Sequence, residues 1–247
     1  PDFLVTSTLA SQAGAAVGRA AGLRLAHYLG LQEPSLPADA VSYVSVGDGS
    51  VNNAHFLSAT NLAEYMSHRG FQCPVVFGIS DNDLCISLRG HGWLNRFSRQ
   101  RLGMPVIRAD GNSLAEVFVA TRDAAEHARK KREPVALIFE GLSRRFGHAA
   151  TDRQDAYLTQ EEIAALETHC AFAEESERAV SEGLFTPQEL VQRFDELEAM
   201  VEDAFDQAAA EPKVTEREAI VQFNSQPLVQ KPEVVARQEA LRSSLDA

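Results

Sequence analysis

Three short polar segments of this sequence could carry chemistry, because each follows a run of apolar residues that predicts a strand. They are Gly47-Asp48-Gly49, Ser80-Asp81-Asn82-Asp83 and Arg144-Arg145-Phe146-Gly147-His148. A Gly-Asp-Gly turn exposes a single carboxylate and lets a ligand approach the backbone closely. Alone, such a turn is a weak indication of function, because many turns of this composition have only a structural role.

The first two segments together predict a site for a cation bound through oxygen. Asp48 and Asn82 are 34 residues apart, which leaves room for one helix and one strand between them. We therefore expect both side chains to project from neighbouring strand ends toward one point. A carboxylate and an amide oxygen, completed by a carbonyl group and water, suit Mg²⁺ that holds a phosphate group. The His and Cys ligands that zinc prefers are missing from these segments.

The elements that must position these residues follow an alternating pattern of strands and helices. Short runs of β-branched or aromatic residues predict buried strands at 41–46, 74–79, 104–108 and 134–139. Longer stretches predict helices at about 8–29, 52–69, 90–101 and 112–132. This alternation is typical of a parallel sheet covered by helices, so we predict an α/β fold with a doubly wound parallel sheet and a helical C-terminal extension. Ligands of such sheets bind at the carboxyl ends of the strands.

The distribution of charge predicts two parts of different character. The formal net charge is −12, from 23 Lys and Arg against 35 Asp and Glu. Residues 1–158 carry 15 acidic and 16 basic side chains, whereas residues 159–247 carry 20 acidic and 7 basic ones. Capping-box sequences that begin at Thr159 and Thr186 predict acidic helices in the second part. We therefore predict an α/β domain at 1–158 that carries the site, followed by an acidic helical extension and linker at 159–247.

The composition argues against several classes of function. A hydrophobic content of 45% is typical of a globular protein, and the acidic balance argues against a nucleic-acid partner. No signal peptide is apparent, and no apolar run approaches the roughly 18 residues of a membrane span. Three cysteines, Cys73, Cys85 and Cys170, lie far apart, which indicates neither a disulfide framework nor a zinc site. We expect a cytoplasmic protein that binds neither nucleic acid nor membrane.

An ordered set of segments resembles one known family. The segments are LASQAGAAVGRAAGLRLA, SVGDGSVNNAHFLSATNLA, FGISDNDLCIS, MPVIRADGNSLAEVFVAT and FEGLSRRFGHAATDRQDAYL. They resemble the glycine-rich helix, the GDG motif, the strand with its Asn-containing turn, the V-D-G-N segment and the Y-R-x-G-H-S loop of the thiamine diphosphate-dependent 2-oxo acid dehydrogenases. The similarity is to the α subunit, or α-like half, of their first, decarboxylating component. It runs from about residue 7 to residue 163 of this sequence.

The resemblance implies how the cation and the cofactor would be held. Asp48 and Asn82 would ligate Mg²⁺ through their side chains, and Leu84 would do so through its backbone carbonyl. Leu84 stands where the family usually has tyrosine, which is an acceptable departure because only the carbonyl is used. The predicted cofactor-binding set around these ligands also contains Gly47, Gly49 and Ser50.

The resemblance also implies an activity. The family decarboxylates a 2-oxo acid and transfers the acyl group to a lipoyl carrier, with the cofactor supplying the carbanion chemistry. Arg145 would contact the diphosphate, and His148 would be the catalytic histidine that helps to hold the diphosphate or to pass the acyl group onward. Two other hypotheses stay open: another thiamine diphosphate enzyme, either acetoin-cleaving or transketolase-like, and a non-catalytic α/β assembly module.

The partners implied by the resemblance concern the rest of the active site. In the family, the glutamate that activates the cofactor ring belongs to a β subunit or β-like half, and no second strand–helix domain in this sequence could supply it. We therefore expect the chain to be inactive without that partner, within an α2β2-type assembly or a fused homodimer. A lipoyl-bearing acyltransferase would be a further partner. It is a hypothesis that this chain is a piece of a fused α–β polypeptide.

Overall fold

A computed structural model of the chain describes residues 8–28, 37, 39–144 and 146–218. Six strands are present in these ranges: β1 (Ser42–Gly47), β2 (Val75–Ser80), β3 (Leu84–Cys85), β4 (Leu88–Arg89), β5 (Val106–Asp110) and β6 (Val135–Glu140). The helices are α1 (Ser11–Tyr28), α2 (Ala54–His68), α3 (Trp93–Arg101), α4 (Leu114–Lys131), α5 (Gln160–Thr168), α6 (Ala171–Ser181) and α7 (Pro187–Ala210). Short 3-10 helices at Asp48–Asn52 and Gln154–Ala156 complete the described structure.

Four of the strands form one parallel sheet in the order β1-β2-β6-β5, while β3 and β4 form a separate antiparallel hairpin. Helices cover both faces of this sheet, which confirms the predicted α/β fold. The order follows from two strand–helix–strand units. One unit is β1-α2-β2 and the other is β5-α4-β6, and the pairing of β2 with β6 joins them.

Three of the sheet strands begin directly after a proline. The prolines are Pro74, Pro105 and Pro134, which precede β2, β5 and β6. Proline has no N–H to donate to a neighbouring strand, so regular pairing begins at the following valine. The strands therefore begin one or two residues later than the apolar runs of the sequence predict.

Two clusters of buried side chains hold the helices to opposite faces of the sheet. Alternate residues of β6 belong to different clusters, because successive side chains of a strand point to opposite faces. Ala136 and Ile138 join the cluster that includes residues of α1, α2 and α3. Val135 and Leu137 join the smaller cluster, to which α4 contributes only alanines. These small side chains let the α4 backbone lie close to the sheet.

The chain divides into two compact units, residues 1–178 and residues 179–247. The predicted boundary at 158 falls before α5, which the structure assigns to the first unit. Within this unit, Arg89 of β4 forms an ion pair with Glu162 of α5 at 2.6 Å. In the second unit, α7 begins with a capping box formed by Thr186 and Glu189, as its sequence predicts.

Most of the large apolar side chains of α7 are exposed, and Phe205 at 74% exposure is among the most accessible of them. None of the described helices combines the length and the apolar composition that a membrane span requires.

Candidate active site

Two of the polar segments identified in the sequence begin at the same edge of the parallel sheet. Gly47, the last residue of β1, pairs with Ser80, the last residue of β2. Asp48 follows β1 directly and begins a 3-10 helix, while Asp81 and Asn82 follow β2. The acid and the amide thus begin at neighbouring strand ends, which is the arrangement that the sequence predicts.

Asp48 is a buried acid in an environment of negative charge. Burial, followed by the nearby charge of Asp81 and that of Asp83, raises the pKa of its carboxyl group to about 6, against a backbone hydrogen bond from Gly49 that lowers it. Within the described ranges no cationic side chain forms an ion pair with Asp48 or Asp81. A bound cation would relieve this repulsion and favour the ionised carboxylate.

The turn after β2 is fixed by its own side chains. The side-chain oxygen of Asn82 accepts a hydrogen bond from the backbone N–H of Leu84 at 3.0 Å. The carboxylate of Asp81 accepts one from the N–H of Asp83 at 3.1 Å. Such Asx turns hold the chain without help from neighbouring elements. An amide oxygen has two lone pairs, so that of Asn82 keeps one for a further ligand.

Asp83 closes the rest of this loop. Its backbone has φ 54°, in the left-handed region. Its carbonyl accepts a hydrogen bond from Gly90 at 2.7 Å, and its carboxylate accepts one from the N–H of Gly92 at 2.8 Å. These bonds fix the path of the chain around the β3–β4 hairpin, which begins at Leu84.

Gly49 lets this hairpin approach the Gly-Asp-Gly turn. A Cβ atom at position 49 would lie 2.9 Å from the Sγ atom of Cys85, well inside normal contact. β3 therefore packs against the 3-10 helix that begins at Asp48, and this packing brings Leu84, the first residue of β3, close to that helix. Burial, followed by the charges of Asp48 and Asp83, raises the pKa of the Cys85 thiol. Ser50 is buried in the same 3-10 helix, whereas Gly47 is exposed at the end of β1.

The available donors suit a hard cation. They are the Asp48 carboxylate, the Asn82 amide oxygen and the Leu84 carbonyl. In the part of the chain that the structure describes, no group of three or more His, Cys, Asp or Glu side chains converges on one point. A set of one carboxylate, one amide and one carbonyl fits Mg²⁺ with water and phosphate oxygens, and it does not fit zinc. That these three residues bind a metal stays a prediction.

The loops after the other strands are bonded to the same edge. The N–H of Asp81 donates to the carbonyl of Phe139 at 2.8 Å, and the N–H of Leu142 donates to the carbonyl of Asp81 at 3.0 Å. After β5, the side-chain amide of Asn112 donates to the carbonyl of Gly141 at 2.6 Å. These bonds connect the segments that follow β2, β5 and β6.

The loop after β6 contains the predicted Arg145 and His148. Arg145 lies outside the described residues. His148 is exposed, and its backbone N–H donates to the carboxylate of Asp152 at 2.8 Å. The neighbouring Arg144 makes internal contacts instead of facing solvent, because its guanidinium lies 3.6 Å from the Asp152 carboxylate and 5.9 Å from the centre of the Tyr157 ring.

Asp152 and Tyr157 were missed in the sequence. The side chain of Asp152 is fully buried, and hydrogen bonds keep its pKa low, the largest effect coming from the backbone N–H of His148. The only signal available was an acid four residues after His148, in a loop that contains many other polar side chains. That signal does not distinguish an inward-facing carboxylate from a solvated one.

The family of this chain follows from comparison with known proteins. Residues 5–217 match the family described as dehydrogenase E1 component. The chain therefore belongs to the dehydrogenase E1 component family, and the resemblance found in the sequence is confirmed.

Several α subunits are among its relatives. It is 30% identical to the pyruvate dehydrogenase E1 component subunit alpha of Mycoplasma pneumoniae over 208 residues, which cover 82% of this chain and 54% of that protein. It is 27% identical to the 2-oxoisovalerate dehydrogenase subunit alpha of Bacillus subtilis over 193 residues, or 74% of this chain and 54% of the relative. The chain thus spans about half the length of the curated relatives it matches. A transketolase from Pichia stipitis aligns with a TM-score of 0.45 and 18% identity, over 81% of this chain and 31% of the transketolase chain.

Proposed function

We propose that this chain is the diphosphate- and Mg²⁺-binding part of a thiamine diphosphate-dependent 2-oxo acid dehydrogenase. The complete enzyme would decarboxylate a 2-oxo acid and transfer the acyl group to a lipoyl carrier. Family membership over residues 5–217 and the names of the relatives support this proposal. The observation that carries it is the pairing of Gly47 with Ser80, which starts the Gly-Asp-Gly turn and the Asn82 turn from neighbouring strand ends.

The residues at this edge would bind and orient the cofactor. Thiamine diphosphate is the cofactor that the family implies, and it supplies carbanion chemistry when bound. Asp48 and Asn82 would hold Mg²⁺ by their side chains and Leu84 by its carbonyl, so that the cation neutralises part of the diphosphate charge. The buried position of Asp48 keeps water away from its carboxylate, which strengthens its attraction to a cation.

Two residues of the loop after β6 would also act on the cofactor. Arg145 would pair with the diphosphate, because a guanidinium group matches phosphate oxygens in a bidentate manner. His148 would contact the diphosphate or assist acyl transfer; its exposed position leaves the side chain free to meet a ligand.

The proposal requires partners. A β subunit or β-like half would supply the glutamate that activates the cofactor ring, and a lipoyl-bearing acyltransferase would receive the acyl group. An α2β2-type or fused homodimeric assembly in the cytoplasm is part of the same proposal. The chain alone would therefore not decarboxylate a 2-oxo acid, and activity of the purified chain would contradict this part.

Binding of Mg²⁺ and thiamine diphosphate to the complete assembly tests the proposal by titration calorimetry. In Asp48→Asn we expect the affinity for Mg²⁺ to fall at least about 100-fold, because loss of an outer-shell partner alone usually costs 10- to 100-fold. Asp123→Asn, which removes an exposed acid on α4 that pairs with Arg122, is the matched control for charge and should bind as the wild type does.

The outcomes separate the alternatives. A wild-type assembly that binds neither ligand would contradict the proposal and support a non-catalytic assembly module. Unchanged affinity in Asp48→Asn would exclude Asp48 as the metal ligand. With an assembly that binds the cofactor, turnover with lipoamide as acceptor supports a 2-oxo acid dehydrogenase, whereas turnover only with aldehyde or sugar acceptors supports another thiamine diphosphate enzyme.

A further inference from the structure

One buried carboxylate connects the loop of His148 with the hairpin that begins at Leu84. The side chain of Asp152 is fully buried. Its Oδ1 accepts a hydrogen bond from the backbone N–H of Ser87 at 3.2 Å. Its Oδ2 accepts the N–H of His148 at 2.8 Å and the hydroxyl of Tyr157 at 3.1 Å. Both oxygens are therefore used, and they join segments that lie 65 residues apart in the sequence.

The charge of this carboxylate is balanced within the loop. The guanidinium of Arg144 lies 3.6 Å from Oδ2 of Asp152, and it also donates a hydrogen bond to the Tyr157 hydroxyl. Only 12% of the Arg144 side chain is exposed, so this pair is shielded from solvent. Leaving one partner of a shielded pair alone is costly, which makes the arrangement sensitive to changes at Asp152.

The backbone around Asp152 is shaped for this contact. A Cβ atom at Gly147 would lie 2.5 Å from the carbonyl oxygen of Asp152, so the chain folds back over Asp152 only because residue 147 is glycine. On the other side, Ser87 lies in the turn between β3 and β4 with φ 57°, and this left-handed conformation directs its N–H toward the carboxylate. The glycine at position 147 and the left-handed backbone of Ser87 thus both allow the contact with the Asp152 side chain.

The hairpin has anchors that do not involve Asp152. Arg89 of β4 donates to the carbonyl of Tyr157 at 2.9 Å and pairs with Glu162. The turn that contains Asn82 is closed by its own bond to Leu84. A change at Asp152 would therefore release the His148 loop while it leaves the predicted metal ligands in their turn.

We propose that Asp152 is a positioning residue that fixes the His148 loop to the β3–β4 hairpin and so holds His148 at the cofactor. This inference rests on the proposed function. Asp152 acts through His148 and does not touch the reacting atoms. We assign the acyl-transfer role to His148 here, so the effect of Asp152 is on the rate of the reaction once the cofactor is bound, and not on the binding of Mg²⁺.

The test compares Asp152→Asn with Asp155→Asn in the complete assembly. The asparagine amide has one acceptor oxygen and one NH2 group, so its NH2 would face the N–H of either Ser87 or His148, and the link between the loop and the hairpin is lost. Asp155 lies in the same loop, is exposed and pairs with Arg153, so it is the matched control. Tyr157→Phe removes one of the donors to Asp152 without introducing a repulsive group.

For Asp152→Asn we expect kcat per bound cofactor to fall about 10- to 100-fold, as loss of an outer-shell partner usually does, with KM and Mg²⁺ affinity within about threefold of wild type. Because the loop loses its anchor, trypsin should also cleave the chain after Arg144 about tenfold faster. Tyr157→Phe should give a smaller change in the same direction, and Asp155→Asn should match the wild type.

Separate results would overturn this inference and the proposed function. If wild type binds the cofactor but Asp152→Asn keeps both its kcat and its resistance to trypsin, the positioning role is wrong while the proposed function stands. If the wild-type assembly does not bind the cofactor, the proposed function fails, and so does the role at the cofactor that rests on it. If total kcat of Asp152→Asn falls only as far as its amount of bound cofactor falls, Asp152 contributes general stability and the inference is wrong.

Discussion

At the scale of single residues, the contact between Gly49 and Cys85 bears directly on the candidate site. In Gly49→Ala, the new methyl group would lie 2.9 Å from Sγ of Cys85. Overpacking of this kind costs about 1–3 kcal/mol, and here it would push β3 and Leu84 away from Asp48. We expect the affinity of the complete assembly for Mg²⁺ to fall about tenfold, which corresponds to about 1.4 kcal/mol. Titration calorimetry measures this change.

A second substitution should restore the affinity. Cys85→Ala removes the Sγ atom and leaves the Cβ atom 3.5 Å from a side chain at position 49, which is an ordinary contact. Gly49→Ala/Cys85→Ala should therefore bind Mg²⁺ nearly as well as Cys85→Ala alone. If the double variant binds as weakly as Gly49→Ala, steric pressure on β3 is not the cause.

The residues of the site differ in how far the sequence could predict them. Asp48 and Asn82 were predictable as neighbours, because parallel strands bring their carboxyl ends to one edge and a polar turn follows each of them. The contact of Asp152 was not, because its partner Ser87 lies 65 residues away in the sequence. Residue type and spacing carry no information about such a contact.

At the scale of elements, the sheet strands and their helices were predictable and the hairpin was not. Runs of apolar residues identified β1, β2, β5 and β6, and prolines account for the small shifts at the starts of β2, β5 and β6. β3 and β4 have two residues each, which is too short for an alternating pattern to be recognised. The hairpin is closed by the hydrogen bonds that the N–H groups of Gly90 and Gly92 donate to Asp83.

The attachment of α5 should depend on pH. Arg89 forms two hydrogen bonds with Glu162, at 2.7 and 2.6 Å, and they lower the pKa of Glu162 from 4.5 to about 2, with help from the N–H of Thr159. A carboxyl group with a lowered pKa in the folded state stabilises the fold above its ordinary pKa, and this contribution disappears as the pH falls from 4.5 toward 2. Since both side chains are more than one third exposed, water weakens the effect.

Urea unfolding of wild type and Glu162→Gln at about pH 6 and about pH 3 checks this dependence. The free energy of unfolding should differ between the two proteins at the higher pH, and the difference should shrink at the lower pH. Glu167→Gln, at an exposed position of the same helix, is the control and should follow the wild type. A difference that grows on acidification would contradict the assigned direction.

At the scale of the whole molecule, the two faces of the sheet have separate cores. Leu137 and Ile138 are neighbours in β6 and fully buried, but they face opposite sides. Leu137→Ala and Ile138→Ala should each reduce the free energy of unfolding by about 2–5 kcal/mol, because each leaves a cavity. Only Leu137→Ala should accelerate hydrogen exchange in α4, which mass spectrometry of α4 peptides measures. Equal acceleration in both variants would mean that the cores are not independent.

The class of the fold was predictable from the sequence, but the order of its strands was not. Alternation of strands and helices indicates a parallel sheet, which the structure confirms. Nothing in the apolar runs specifies that β2 pairs with β6, since both are buried strands of similar composition. That choice depends on how the two strand–helix–strand units fit together, which is a property of their packed surfaces.

This strand order has a consequence for the route by which the chain folds. Within the two strand–helix–strand units, paired residues are close in sequence: Ser42 with Val75, and Val106 with Ala136. The join pairs Val76 with Val135, which are 59 residues apart. Since distant pairings close longer loops and form more slowly, we expect the two halves to form first and to merge late. The bonds that connect Asp81 to the loop after β6 belong to this join, so the loop that carries His148 would reach the edge that carries Asp48 and Asn82 only in the last step of folding.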